Sequence, residues 1–402
     1  MQEVSNMKER LLEEAKHIEP ELIRIRRAFH EEPEISRHEV KTAEKIRKEL
    51  EAIGGFKIRT GVAGNGILAD LDGGKPGKKI ALRADMDALS IQEETGLPFA
   101  SKNDGVMHAC GHDNHMTCLL GAAMILKKYQ SELPGSVRLI FQPAEELSPT
   151  GGSRAMISEG ALEDVDAVFG LHVFPDCTAG KIAVKVGPQM AASDHFSIQI
   201  TGASSHGAMP HQGKDALLAG AQFVTAVQNI VSRNTDPLEP CVVTIGIMKA
   251  GTRYNIVPGE CYLEGTVRTY SPEVRATAKR RLREVLDGIC LAMGCRGELN
   301  YEDGYCALRN DPVKTEYMHG VIRDLFGAEN DLTPEKPAMT AEDFAFYLEE
   351  KPGAFAWLGT QAEDDPEVWP LHSSRYKANE AVLWRGAAFL AGLVMESESM
   401  KD

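Results

Sequence analysis

The first half of the sequence alternates short apolar runs with segments of helical periodicity. The runs at residues 66–71, 79–83 and 167–173 have the length of buried strands and are separated by polar turns. Residues 40–53 and 118–130 lie among them, and their apolar positions recur at steps of three and four, as in helices. Strands that alternate with helices predict an α/β fold with a central, mostly parallel sheet flanked by helices.

The pattern changes near residue 187. Apolar residues within 196–200 alternate strictly with polar ones, as in a half-exposed antiparallel strand. A chain of 402 residues exceeds what one hydrophobic core usually holds, so two domains are expected. We predict a larger domain formed by residues 1–186 and 305–402, and a smaller inserted α+β domain formed by residues 187–304. The predicted order in the inserted domain is a strand, a helix at 215–231, strands at 242–247 and 261–268, and a helix at 272–292.

The charge and the apolar content exclude several classes of protein. The chain carries 44 basic and 59 acidic residues, a net charge of −15, which disfavours binding to nucleic acid or to an anionic membrane surface. No apolar run approaches the roughly 18 residues of a membrane span, and residues 1–20 lack the apolar core of a signal peptide. The eight cysteines are scattered, as in reduced cytosolic proteins. We therefore expect a cytoplasmic protein that binds neither nucleic acid nor membrane.

The densest chemical signal lies at residues 108–115, which contain histidines, a cysteine and an aspartate. Thiolate, imidazole and carboxylate groups are ligands that suit zinc and, less selectively, manganese and cobalt. Cys110 and His112 are separated by one residue, so both could contact one ion from a tight turn. The alternative is a polar turn with incidental histidines, but the density of ligand types favours a metal site.

Further candidates follow predicted strands or lie within them. Asp85 and Asp87 come directly after one strand, at the edge where open α/β sheets usually build their sites. Glu145 and Glu146 follow another strand, and two adjacent carboxylates can divide the roles of metal ligand and general base. His172 lies inside an apolar strand. Taken singly, each of these residues could also have no catalytic function. The acids could be solvated side chains, and His172 could be a hydrogen-bonded core histidine.

Two loops carry the remaining histidines of interest. His372 is flanked by small polar residues at 369–374 and could complete a metal shell. His206 lies in the loop 202–211 of the inserted domain, which could reach over a site and stabilise an oxyanion, or could be a simple turn. The combination is stronger than its parts, because a cysteine, several histidines and one glutamate make a two-metal shell and a second glutamate is left as a base.

In combination these blocks resemble the N-acyl-amino-acid amidohydrolase and hippurate hydrolase branch of the aminoacylase–carboxypeptidase metallopeptidases. The blocks stand in the order of that family over nearly the whole chain, which makes the match specific. They are residues 27–34, 83–89, 108–115, 142–146, 170–172, 205–211, 341–344 and 371–373.

The resemblance implies a role for each candidate. It implies two divalent ions per subunit (manganese, zinc, cobalt or nickel), and their ligands would be Cys110, His112, Glu146, His172 and His372. It implies Glu145 as the general base and Asp87 as the acid that orients a ligand imidazole. In the family, the inserted domain commonly forms a lid and a homodimer interface. The resemblance therefore implies that His206 reaches the active site of the partner subunit, and that Asn255 and Arg268 bind the substrate's carboxylate.

The sequence departs from the family's pattern at three places. Ser90 replaces a usual proline, Thr340 replaces a common glycine, and the segment 256–259 lacks the usual acid at its end. The first departure affects only a turn. The third leaves the contact of that loop open.

The expected reaction is hydrolysis of the amide bond of a small N-acyl amino acid by a water that Glu145 deprotonates. Within the same chemistry, a dipeptidase or carboxypeptidase and an N-acetyl-diaminopimelate deacetylase are alternatives. A cysteine hydrolase built on Cys110 and a metal-binding protein without activity are more remote, and the spare Glu145 argues against mere metal storage. The acyl group, the amino acid and the native metal stay open.

Overall fold

The computed structural model describes residues 2–361 and 367–401, and its elements follow the predicted alternation. The helices are α1 (Gln2–His17), α2 (Glu19–His30), α3 (Val40–Ile53), α4 (His112–Lys128), α5 (Ser153–Ser158), α6 (Ala216–Ala226), α7 (Gln228–Asn234), α8 (Pro272–Met293), α9 (Pro312–Phe326), α10 (Ala345–Glu350) and α11 (Leu383–Met395). The strands are β1 (Lys57–Val62), β2 (Gly66–Asp72), β3 (Lys75–Asp85), β4 (Pro134–Gln142), β5 (Ala167–Thr178), β6 (Ile182–Ala183), β7 (Gly187–Met190), β8 (Ala192–Thr201), β9 (Ser205–His206), β10 (Cys241–Ala250), β11 (Ile256–Val257), β12 (Glu260–Thr269), β13 (Arg296–Tyr305), β14 (Leu308–Asn310), β15 (Asp331–Leu332) and β16 (Gly353–Gln361). Among the helices described, none is long and apolar enough to cross a membrane.

An eight-stranded sheet in the order β1-β2-β4-β3-β5-β16-β6-β15 forms the centre of the larger domain. The neighbours β4, β3, β5 and β16 are parallel, and β2 and β1 extend the sheet antiparallel at one edge. Leu82 and Phe169 pack in one core with α4 and α11, whereas Ala81 and Val168 pack in another core with α5 and α10. Burial on both faces explains why these strands read as continuous apolar runs. The arrangement confirms the predicted sheet flanked by helices.

A separate sheet forms in the inserted part of the chain. Its order is β10-β12-β8-β13, every pair is antiparallel, and α6, α7 and α8 share its core. Phe196, Ile198 and Ile200 of β8 lie in that core, which explains their strict alternation with polar residues. The predicted α+β pattern is present, and β13 is an additional strand. The proposed boundaries at residues 187 and 304 stay a prediction.

The helix predicted for residues 215–231 is divided into α6 and α7. At the junction the backbone tightens, because the Ile230 N–H donates to the Val227 carbonyl three residues earlier. Asp215 caps the start of α6 by accepting a hydrogen bond from the Leu218 N–H. The apolar periodicity continues across this junction, so the sequence pattern did not reveal it.

Helix α4 begins at His112, earlier than the sequence pattern indicated, because the residues of its first turn are polar but buried. Gly111 precedes the helix with φ of +86°. A Cβ on Gly111 would overlap the side chain of Val173 in β5. Glycine therefore allows the turn that carries Cys110 and His112 to lie directly against β5.

The parallel strands bring the predicted site residues to one edge of the sheet. Strand β3 ends at Asp85, β4 ends at Gln142 shortly before Glu145, and His172 lies in β5. Because β3 pairs in parallel with both β4 and β5, these positions share the carboxyl edge of the sheet. The polar end of α4 faces the same edge.

Candidate metal centre

The five predicted metal ligands converge at this edge. The Cys110 Sγ atom lies 3.5 Å from His172 Nε2 and 3.3 Å from His372 Nε2. The Glu146 Oε1 atom lies 3.2 Å from His372 Nε2 and 3.8 Å from His112 Nε2. The five residues come from a turn, a helix, a strand and two loops. Only the folded chain unites them.

The cluster is suited to hold two ions. Its ligand atoms form two groups, Cys110–His112–His172 and Cys110–Glu146–His372, and within each group the atoms lie within 4.8 Å of one another. Both groups contain Cys110. In the described part of the chain, His112 Nε2 and Glu146 Oε1 are buried without a hydrogen-bond partner. Buried polar atoms need a partner, and a divalent ion in each group would supply one.

The electrostatics of the cluster favour a bound cation. Burial opposes the charged form of His112, but the carboxylates of Asp85 and Asp87 raise its pKa to about 10. Burial and then the neighbouring glutamates raise the pKa of the Cys110 thiol well above its usual range. The thiolate therefore needs a cation beside it. A nucleophilic cysteine requires the opposite shift, so these surroundings do not support a cysteine hydrolase.

Asp87 contacts the residues of the cluster without being one of the predicted ligands. Its carboxylate accepts hydrogen bonds from the backbone N–H groups of Glu145 (3.1 Å) and Glu146 (3.0 Å), and from the Ser36 hydroxyl (2.6 Å). One of its oxygens also lies 3.3 Å from His112 Nδ1. Asp87 thus fixes the turn that presents the two glutamates. Its predicted role, to orient the imidazole of His112, requires this placement beside Nδ1.

Two residues beside the cluster have left-handed backbone conformations. Ala144 has φ of +57° and His372 has φ of +65°, and such conformations cost on the order of 1–3 kcal/mol for residues other than glycine. Each is held by a hydrogen bond: Ala144 N–H donates to the Glu39 carboxylate, and His372 N–H donates to the Ala109 carbonyl, both at 2.9 Å. These two conformations turn the glutamates and an imidazole toward one point.

Glu145 is buried beside the cluster, with 5% of its surface exposed. The backbone N–H of Asp343 lies 3.4 Å from its Oε1 atom, and the Tyr305 hydroxyl donates to its backbone carbonyl at 2.5 Å. Burial and then the charge of Glu342 raise the pKa of Glu145 well above its usual range. A carboxylate with a raised pKa is suited to accept a proton from water and to return it.

A buried arginine near Glu145 links the strand ends, and no pattern in the sequence indicated a role for it. Arg83 is fully buried and forms ion pairs with Asp85 (2.7 Å), Glu342 (3.0 Å) and Asp343 (2.9 Å). The block 341–344 was part of the resemblance, but nothing in the sequence placed it beside Arg83. The network connects β3 to the segment before α10 underneath the cavity.

Of the histidines at residues 108–115, only His112 joins the ligand cluster. His115 donates from Nδ1 to Asp85 (2.6 Å), and its Nε2 atom accepts from the Val173 N–H (2.9 Å). Asp85, His112 and His115 also lie close enough to bind an ion, but both His115 nitrogens are already in use. His108 is buried without a hydrogen-bond partner among the described residues. His115 therefore positions β5, which carries His172.

A second buried ion network anchors the start of α4 and was also missed. The Asp113 carboxylate pairs with Arg26 at 2.9 Å and with His30 at 2.7 Å. Both partners belong to α2, so the network ties that helix to the turn of Cys110 and His112. The block 27–34 was recognised as part of the resemblance, but its contact with residue 113 depends on the fold.

A cavity of about 630 Å³ opens above the cluster, a size typical of small-molecule sites. All of the predicted ligands except His112 line it, and so do Glu145 and Arg268. His206 and Asn255 do not. They line a separate depression of about 370 Å³ on the inserted part of the chain. The described chain therefore unites the predicted ligands, the predicted base and Arg268, and leaves His206 and Asn255 outside its own cavity.

A two-ion ligand cluster with a spare buried carboxylate, set at the carboxyl edge of an α/β sheet, defines a metal-dependent hydrolase. Comparison with known proteins agrees with this class. The chain belongs to peptidase family M20/M25/M40, whose model matches residues 81–396.

The relatives of the chain match it over most of its length. N-acetyl-L-cysteine deacetylase of Bacillus subtilis (strain 168) is 41% identical over 374 residues, 93% of this chain and 87% of the relative. N-acyl-L-amino acid amidohydrolase of Geobacillus stearothermophilus is 44% identical over 74% of this chain and 79% of the relative. The crystal structure of the Bacillus subtilis YxeP protein, a dinuclear metal-binding peptidase from the M20 family, has a TM-score of 0.80 at 37% identity and covers 95% of this chain and 99% of that one. These matches confirm the resemblance and the prediction of a two-metal hydrolase of amide bonds.

Proposed function

We propose that the protein cleaves the amide bond of N-acyl amino acids. One observation carries the proposal: the predicted ligands other than His112, the buried Glu145 and Arg268 line the same cavity. Metal ions held there would bind the carbonyl group of the substrate, and a basic side chain would deprotonate the attacking water. A cationic side chain would bind the carboxylate. Hydrolysis of a small acylated amino acid needs these three functions. The names of the deacetylase and amidohydrolase relatives support the same substrate class.

Each site residue has a proposed role in this reaction. The ligands of the ions are Cys110, His112, Glu146, His172 and His372. When bound, two divalent ions would polarise the substrate carbonyl and lower the pKa of a water. Glu145 accepts the proton of the attacking water and returns it to the leaving nitrogen, which an amine needs in order to depart. Asp87 keeps the imidazole of His112 oriented. The products are a carboxylic acid and a free amino acid.

Arg268 is the proposed anchor for the carboxylate of the substrate. It is half-buried, and its guanidinium donates to the Val267 carbonyl at 3.2 Å. Burial lowers the pKa of Arg268, and the acid that opposes this shift, Asp194, forms its ion pair with Arg275 instead. Arg268 has no carboxylate partner within residues 2–361 and 367–401, and such a guanidinium group in a chain of net charge −15 favours an anionic ligand.

The proposal predicts metal-dependent release of a free amino acid. The purified protein would be stripped with a chelator and assayed with zinc, manganese, cobalt or nickel added back. The substrates would be N-acetyl and N-benzoyl amino acids, their carboxamide counterparts, dipeptides and N-acetyl-diaminopimelate. We expect N-acyl amino acids to be cleaved best. The carboxamides should lose about tenfold to a hundredfold in kcat/KM, because a hydrogen bond to a charged group contributes roughly 1.5–3 kcal/mol.

The same assay discriminates the alternatives. A dipeptide or N-acetyl-diaminopimelate as the best substrate would replace the proposal with the corresponding peptidase or deacetylase. Metal binding with the expected stoichiometry but no hydrolysis of any substrate would contradict it. Equal rates for carboxylates and carboxamides would contradict the proposed role of Arg268 but not the proposed reaction.

We also propose that the protein is a homodimer in which the inserted domain of one subunit completes the site of the other. Its proposed contributions, His206 and Asn255, lie outside the cavity of their own chain. Large apolar side chains are exposed on the same part of the chain, among them Met248 (40% exposed) and Tyr254 (95% exposed). Strand β10 is at the edge of its sheet and leaves a row of backbone groups for pairing.

Complementation between two inactive variants tests this dimer. Glu145→Gln lacks the base, and His206→Ala lacks the residue proposed to act in the other subunit. Each variant alone should be inactive. After co-expression, about a quarter of the wild-type activity should return, because random pairing gives half heterodimers with one intact site each. A mixture as inactive as its components would contradict the shared site, and a monomer in analytical ultracentrifugation would contradict the dimer.

We assign the protein to the cytoplasm. The eight cysteines are free thiols, and most of them are buried within the two domains rather than arranged as a covalent framework. A reducing compartment suits such a chain.

A further inference from the structure

Part of the lining of the cavity is apolar and has no part in the proposed chemistry. Phe174, Met190, Met339 and Leu371 line the cavity together with four of the five predicted ligands. None of these side chains can carry a proton or pair with a carboxylate, and none is a usual ligand of zinc or manganese. An apolar surface inside a ligand cavity contributes to binding when the ligand covers it with an apolar group.

Phe174 is the fixed part of this surface. Its ring stacks on that of Trp357, with the ring centres 4.4 Å apart and the planes inclined by 9°. Trp357 is 5% exposed and belongs to the core under the sheet. Phe174 follows His172 by two residues in β5, so both side chains leave the strand on the same face. The stacked ring therefore lies next to a metal ligand, near the place where the scissile amide would be held.

The two methionines complete the surface from another direction. Met190 forms a bridge with Ala338, and the Ala191 N–H donates to the Thr340 carbonyl at 2.8 Å. These contacts hold Met339 beside Met190. Methionine side chains adapt to the shape of a neighbour and make favourable contacts with aromatic rings. The apolar surface thus combines a rigid ring with adaptable side chains, which suits a planar apolar group.

We propose that Phe174, supported by Trp357, is a specificity-determining residue that binds an aromatic group of the substrate. The inference rests on the proposed function and names the preferred substrates, which are N-acyl amino acids that carry an aromatic ring. These should be cleaved better than the corresponding substrates with an acetyl group or an alanine side chain in place of the ring. The ring stacks on Phe174 and is covered by the methionines. It belongs either to the acyl group or to the side chain of the amino acid, and the two sources share this chemistry.

Two substrate pairs distinguish the sources in the metal-loaded enzyme. N-benzoylglycine is compared with N-acetylglycine, and N-acetylphenylalanine with N-acetylalanine. We expect the wild type to prefer the aromatic member of one pair. Phe174→Leu, which keeps an apolar side chain but removes the ring, should lower the kcat/KM ratio of that pair about tenfold. The pair that responds identifies the source of the ring.

Phe326→Leu is the matched control, since Phe326 is also half-buried against a tryptophan, Trp384, but on α9 away from the cavity. This control should leave both ratios unchanged. Unchanged ratios for both pairs in Phe174→Leu would overturn the inference, even if all substrates are cleaved. If the wild type cleaves neither pair, the proposed function fails. The inference is then tested by calorimetric measurement of the binding of the same compounds to metal-loaded Glu145→Gln, with and without Phe174→Leu. Phe174→Leu should lower the affinity for the aromatic member of one pair, relative to the other member, about tenfold.

Discussion

Glu145→Gln is expected to lower kcat by about 100- to 10,000-fold, the range that a positioned general base contributes. Glutamine has the size of glutamate but cannot accept a proton from water. The backbone N–H that donates to Asp87 is unchanged by the substitution, so the turn that presents Glu146 should persist. Because burial already raises the pKa of Glu145, a neutral side chain at this position is also tolerated by its surroundings.

Three measurements separate loss of the base from loss of the site. They are kcat with saturating metal, the metal content per subunit, and the midpoint of urea unfolding. Metal content and midpoint should match the wild type. Glu13→Gln, on the exposed surface of α1, makes the same chemical change away from the cavity and should be fully active. A Glu145→Gln protein that turns over at the wild-type rate would remove Glu145 from the mechanism. One that has lost its metal would instead assign Glu145 to the ligands.

Much of the fold and of the proposed site was predictable because the relevant information is local. A strand that is buried on both faces must be apolar throughout, and a chemically active residue at its end stands out against that background. Asp87 and Glu145 were predicted as site residues in this way. Cys110 and His112 were predicted as ligands because a tight turn can place two ligands side by side. The edge of the parallel sheet then brings these local signals together.

What the sequence did not reveal depends on long-range contacts. His108, His112 and His115 are the same residue type in one short segment, and only the folded chain shows that His112 alone faces the cluster. Arg83 precedes Asp85 by two residues, but its other partners, at 342–343, are more than 250 residues away. The break between α6 and α7 and the early start of α4 were missed because apolar periodicity reports neither a tightened turn nor a buried polar turn.

Arg83→Met should lower the free energy of unfolding of the larger domain by about 3–5 kcal/mol, the cost of removing one partner from a buried ion pair. Methionine replaces the volume of the side chain but leaves Asp85, Glu342 and Asp343 without their shared cation. The three tryptophans, Trp357, Trp369 and Trp384, all lie outside residues 187–304. Tryptophan fluorescence during urea unfolding of the metal-free protein therefore reports on the domain that contains Arg83. Arg59→Met, an exposed arginine in the same domain, is the control and should change the midpoint little.

The pH dependence of this deficit tests its electrostatic origin. Burial raises the pKa of Glu342 to about 8 even though Arg83 opposes the shift, so the pKa should rise further without Arg83. A carboxyl group whose pKa is higher in the folded than in the unfolded protein binds more protons when folded, and its folded state loses stability as the pH rises between the two values. Between about pH 5 and about pH 8 the folded wild type and the folded variant both keep Glu342 protonated, so the deficit of Arg83→Met should be constant there. It should grow above about pH 8, where Glu342 ionises in the folded wild type and stays protonated in the folded variant. A deficit that does not grow between about pH 8 and about pH 9.5 would indicate lost packing. A deficit below about 1 kcal/mol would show that water or another cation compensates the three carboxylates.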